Sequence, residues 1–182
     1  ARLKDLVKFC KKHKLKMSSI KDLIEYKVKK EKLVKCVRIE NSKIMYLKDF
    51  KTFIYKNIID GTEHLALVKG KVSSNKNVLV RMHSLNIYSD LLDPKNEVLS
   101  KSINIISKEE NGIIVIIRNP KKELLDRDFH VKRKSILKEY GIGAQILTDL
   151  GAKKITLLTT STKKIIGVDG FGLEINGKKK LL

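Results

Sequence analysis

At 182 residues and 20.8 kDa, the chain can hold one well-buried core and a small appendage. Its +20 charge comes from six arginines and 34 lysines spread along the whole length, with 5% aromatics; sequence-specific nucleic-acid recognition favours arginine forks and stacking platforms, so it is not expected. No apolar run approaches a membrane span, no secretory segment opens the chain, and Cys10 and Cys36 alone build neither a disulfide framework nor a zinc cluster, which points to a reducing cytoplasm.

Leu3, Leu6, Val7 and Cys10 recur at helical spacing and predict a helix through Lys12. Ser19 caps a second helix, with Asp22 as the return partner of a capping box and Ile20, Leu23, Ile24 and Val28 as its apolar stripe. A hairpin this short cannot bury its stripes alone and must lean on something else. Lys43 to Leu47 and Lys51 to Ile59 read as strands, with Leu47-Lys48-Asp49-Phe50 as the turn. Asp60-Gly61 turns the chain into Glu63 to Gly70, and Asn75-Lys76-Asn77 turns it into a strand from Val78 to Met82. Ile113 to Ile117 is five apolar residues in a row, the pattern of a strand buried on both faces.

Glu123 to Lys138 is charge-rich and helical. Ile142, Ile146, Leu147 and Leu150 continue at helical spacing, and Gly151 is the stop. Ile155 to Leu158 is a short strand, and Lys163 and Lys164 open a last helix carrying Ile165 and Ile166. Asp169-Gly170 then turns into Phe171 to Ile175, and Gly177 to Leu182 reads as a loose tail. The fold class is α/β, a mixed sheet with helices on its faces, preceded by a short helical hairpin.

Two places have the chemistry to take an anion. Thr159, Thr160, Ser161 and the lysines behind them follow a strand into a helix start, where free N–H groups and partial positive charge suit a phosphate. The alternative is that Ser161 is only an N-cap. Arg81 and His83 share one side of a strand by its period of two, either as an anion clasp or as a surface pair. His64 reads as a structural histidine rather than a ligand.

Several of these stretches resemble GTP cyclohydrolase II. Tyr140-Gly141-Ile142-Gly143-Ala144-Gln145-Ile146-Leu147, then Leu150-Gly151, Leu157-Leu158-Thr159 and Lys163-Lys164, are similar to that family's closing motif. Glu63 to Gly70, Arg81-Met82-His83-Ser84 and Gly170 to Ile175 resemble further family segments, so the likeness covers about residues 36–182 with a shortened middle. The resemblance implies that Arg81, His83, Ser84, Thr159 and Lys164 are a remnant phosphate site for GTP or another phosphate compound, held weakly.

The family's catalytic pattern, however, is broken. Where it has a glutamate and the first of three zinc-binding cysteines, this chain has Leu85 and Asn86, and no cysteine follows Cys36. Where a guanine-reading acid is implied, Asn119-Pro120-Lys121-Lys122 stand, and lysine cannot accept those hydrogen bonds. The family's catalytic aspartate and arginine fall within Ile136-Leu137-Lys138-Glu139. The resemblance thus implies a degenerate, inactive domain with no catalytic residue and no cofactor. The alternative is an active cyclohydrolase with another metal set drawn from Glu63, Asp90, Asp93 and Glu97.

Residues 1–35 resemble the closing segment of 3,4-dihydroxy-2-butanone 4-phosphate synthase, through Ala1-Arg2-Leu3-Lys4-Asp5-Leu6, Lys12 to Lys16 and Ile20 to Tyr26. The start at Ala1 suggests a fragment or processed product of a fused protein. Its implied partners are the upstream synthase domain, where any magnesium would sit, and a second copy in a homodimer.

Overall fold

The computed structural model describes residues 2–18, 23, 26, 31–119, 133–160 and 172–181, the side chains of 133–138 excepted. The first helix, α1 (Leu3–Lys12), lies where its spacing predicts it. The Asp5 carboxylate accepts the Arg2 amide at 3.0 Å, and Lys11 and Lys12 sit at the carboxyl end, so charges complement the helix dipole at both ends. None of its residues is buried, and Leu3, Leu6 and Phe9 face solvent. The cap expected at Ser19 and most of the second helix lie outside the described residues. Leu23 and Tyr26 are helical and exposed.

Seven strands form one sheet, in the order β1-β2-β3-β5-β4-β6-β7. β1 (Val34–Asn41), β2 (Phe50–Asn57) and β3 (Glu63–Lys69) make an antiparallel meander, and β3 pairs antiparallel with β5 (Gly112–Ile117). β5, β4 (Asn77–Ser84), β6 (Lys154–Thr159) and β7 (Glu174–Lys180) run parallel. The mixed α/β sheet is therefore as expected, with β5 at its centre.

Three assignments change. Lys43 to Leu47 is not a strand: Met45–Leu47 forms a single 3₁₀ turn in which only Leu47 is buried. The first strand is instead β1, where a bulge between Cys36 and Arg38 interrupts the alternation that would have marked it. Gly177 to Leu182 is not loose. Residues 177–180 pair with Thr156 to Thr159, and the Leu181 amide donates to the Thr159 carbonyl at 2.9 Å.

Helices cover both faces. α2 (Val98–Ile106), between β4 and β5, presses Ile103 and Ile106 onto Leu67, Leu79, Ile114 and Leu158. α3 (Arg133–Asp149), between β5 and β6, packs Ile142, Ala144, Ile146 and Leu147 on the opposite face, against Val80, Ile113 and Val115. It ends as predicted, with Gly151 at φ +85° and the Ala152 amide donating to the Leu147 carbonyl. Burying an apolar residue on each face at every step is what the uninterrupted run of β5 requires. The helices following the parallel neighbours β4 and β5 thus lie on opposite faces. In open α/β sheets, the carboxyl ends of strands so arranged are where ligands usually bind.

Candidate functional site

Arg81 and His83 stand at the carboxyl end of β4, on the face that Leu79 shares with α2. Val80 lies opposite Leu157 on β6, which brings the Leu158 carbonyl to 3.2 Å from Arg81 Nη1. Arg81 is 9% exposed, and its Nε has no hydrogen-bond partner among the described residues. Burial lowers the guanidinium pKa, opposed by Tyr140 and Asp90. A nearly buried cation with one N–H unspent has room for another acceptor.

His83 is occupied. Its Nε2 lies 2.8 Å from Asp90 Oδ2, with the two side chains 7% and 4% exposed. A carboxylate only accepts, so Nε2 carries the hydrogen of this bond. Asp90 sits in a π-helical turn, Tyr88–Leu92, three residues beyond the end of β4. The same Oδ2 accepts the Asn86 amide at 2.9 Å, and Oδ1 accepts Asn96 Nδ2 at 3.0 Å. The turn is closed by the Asp90 amide donating to the Asn86 carbonyl at 2.8 Å and by Asn86 Oδ1 accepting the Ser89 amide at 3.2 Å. Three donors on one buried carboxylate make Asp90 the pin of the whole segment.

Of the other expected site residues, Ser84 ends β4 opposite Ile117, and Thr159 ends β6 opposite Lys180, at the same edge of the sheet. Lys164 lies outside the described residues, as do Ser161 and the helix expected behind it. His64 has the structural role expected: it is 3% exposed, and its Nδ1 accepts the Arg118 amide at 3.3 Å, tying β3 to the end of β5. Sequence reasoning missed the role of Asp90, because a bond from His83 across a tight turn has no periodic signature.

The residues present do not fit the zinc of GTP cyclohydrolase II. Asn86 stands in the first thiolate's place and spends its side-chain oxygen on the Ser89 amide, while His83 and Asp90 spend themselves on each other. The alternative acids are dispersed: Glu63, Asp93 and Glu97 are exposed, with Asp93 accepting the Lys95 amide and Glu97 paired to Lys101. Among the described residues, no three His, Cys, Asp or Glu side chains converge on a metal geometry. Neither do any of their helices reach the length and apolarity of a membrane span.

The buried Arg81 and His83 lie at the carboxyl end of a parallel strand in an α/β sheet with helices on both faces. The family model for GTP cyclohydrolase II matches residues 37–180, and the chain belongs to that family. A monofunctional riboflavin biosynthesis protein, RIBA 2, of Arabidopsis thaliana is 33% identical over all of this chain and 41% of its own length. The riboflavin biosynthesis protein RibBA of Chlorobium phaeovibrioides is 34% identical over 96% of this chain and 48% of its own. Among solved structures, RibBX of A. baumannii, a two-domain 3,4-dihydroxy-2-butanone 4-phosphate synthase, is similar with a TM-score of 0.70 and 30% identity. That match covers 98% of this chain and 50% of RibBX. The chain thus spans about half or less of the length of these relatives. It is a GTP cyclohydrolase II-like domain of riboflavin biosynthesis.

Proposed function

We propose that this domain has lost the cyclohydrolase reaction and supports, by packing or regulation, a 3,4-dihydroxy-2-butanone 4-phosphate synthase domain upstream of it in the same polypeptide. The observation that carries this reading is Asn86, a carboxamide where a zinc-held water needs a thiolate, in a chain without cysteine after Cys36. Two further losses point the same way. Lysines replace the acid that would read guanine, and Ile136 replaces a proton-transferring carboxylate. Each loss alone removes a different part of the chemistry, so restoring one would not restore turnover.

RibBX supports the reading from another side: a protein described as a synthase carries this fold over half its length. The exposed Leu3, Leu6 and Phe9 of α1 are the surface we assign to the synthase domain. We further assign it a homodimeric state, a cytoplasmic location suited to the free thiols of Cys10 and Cys36, and no cofactor of its own. Arg81, His83, Ser84, Thr159 and Lys164 form the remnant phosphate site, which binds GTP or another phosphate compound only weakly.

Elemental analysis of purified protein, together with GTP turnover followed by absorbance, tests the loss of activity. We expect zinc far below one equivalent and no turnover above buffer. Stoichiometric zinc with ring-opening activity would reinstate the enzyme.

A further inference from the structure

The Arg81–His83 end of β4 already contains an anion. We propose that Asp90 is a built-in occupant of the remnant phosphate site, and that the site takes an external phosphate or pyrophosphate only when this carboxylate is removed or displaced. The proposal rests on the reading of Arg81 and His83 as that site, and it explains why binding by the intact chain is weak.

Three observations carry it. His83 is one of the side chains expected to meet a phosphate, yet its Nε2 is spent on Asp90 at 2.8 Å. Asp90 is 4% exposed at its side chain and takes three hydrogen bonds, from a ring nitrogen, a backbone amide and a carboxamide. That is the donor set a phosphate oxygen would use. Arg81, 9% exposed with Nε unpartnered among the described residues, shows that the cradle is not filled to capacity. A carboxylate has two acceptor oxygens where a phosphate has three or more, and an unspent N–H fits that shortfall.

The mimicry has a mechanical basis. The π-helical turn Tyr88–Leu92 carries an extra residue per turn. Within it, the Asp90 carboxylate reaches back to His83 of the strand and to the Asn86 amide. Leu91 and Leu92 on the same turn are exposed, so little apolar burial opposes its movement. A phosphate competing with Asp90 must displace it against those three bonds, and the bound state keeps a carboxylate close by. Both effects weaken binding in the intact chain.

Two variants of the full chain test this, Asp90→Asn and Asp90→Ser, with inorganic pyrophosphate as the probe. Thermal midpoint and circular dichroism are measured against sodium chloride at matched ionic strength, because any salt screens a chain of charge +20. We expect pyrophosphate to stabilise both variants, or to restore their fold if they are unfolded without it. Its apparent affinity should be at least roughly tenfold above that of the unsubstituted chain, the scale of one charge-assisted bond. Adding Arg81→Met should abolish the gain.

Equal pyrophosphate effects on the unsubstituted chain and the variants would overturn the plug but leave the phosphate site standing. No pyrophosphate effect on either variant would overturn both. The loss of cyclohydrolase activity is judged separately, by zinc content and turnover.

Discussion

Gly70 leaves β3 with a φ of +67°, and a Cβ there would run into the backbone carbonyl of Glu110. Neither fault can be relieved by a side-chain rotation. Gly70→Ala should cost about 3 kcal/mol or more in urea unfolding, against the ~1 kcal/mol of an average substitution. Tyr55 is a second point where one atom matters. Its hydroxyl donates to Asp149 at 2.9 Å across the α3 face of the sheet. Burial, then the hydrogen bond and charge of Asp149, and last Cys36, push its pKa far above the ordinary tyrosine range. The folded chain keeps this proton at pH values where the unfolded chain has lost it. The resulting stabilisation is complete below about pH 10 and declines as pH rises from there toward the raised folded value. Tyr55→Phe should cost about 1 kcal/mol near neutrality and flatten the alkaline fall in stability. An unchanged alkaline slope would remove Tyr55 as its source. Arg81 and His83 were legible from the sequence because strand period places them together. Asp90 was not, because its partnership is made by turn geometry.

At the scale of elements, legibility followed burial. β5 and α3 declare themselves, the first by an apolar run and the second by apolar spacing closed with Gly151. β1 and β7 are edge strands held largely by backbone pairing, which leaves a weak mark on side-chain pattern. In β1 the bulge breaks the alternation, and β7 ends in Lys178, Lys179 and Lys180, all exposed, which read as a tail. Those lysines suit an edge, where like charges discourage a further strand from adding. α2 escaped notice because Ser100, Ser102 and Asn104 stand among Val98, Ile103, Ile105 and Ile106, β-branched residues of modest helix propensity. Its register becomes evident only with Ile103 and Ile106 buried. If β7 is a working part of the sheet, ending the chain at Asn176 should expose the outer edge of β6 and uncover Leu158, which Leu181 helps to bury. Hydrogen exchange of the amides from Thr156 to Thr159 should then quicken by at least roughly tenfold. Unchanged protection would mean that β7 contributes nothing.

For the molecule as a whole, the charge of +20 works against compactness. Among the described residues, Lys76 pairs with Glu110 and Lys179 with Glu109, both at 2.9 Å and both on the surface. Such exposed pairs add little each. Raising sodium chloride from about 0.01 M to 0.15 M shortens the screening length from roughly 30 Å to 8 Å. The thermal midpoint should rise over that range, and a flat or falling midpoint would show that the repulsion is already relieved. The family and the mixed α/β class were both legible in the motifs around Arg81 and Tyr140. How the parallel strands are ordered was not, since nothing in a linear pattern says that the fifth strand lies between the third and fourth.

That order has a consequence for biosynthesis. β3 and β4 leave the ribosome before the strand that joins them, and in the finished sheet they do not pair with each other. From Ser84 until Ile117 clears the exit tunnel, the nascent polypeptide holds two apolar borders apart with nothing between them, for a time on the order of seconds. Messages that stall within this interval should yield inclusion bodies, and chaperones that cradle half-made sheets should raise the recovered yield.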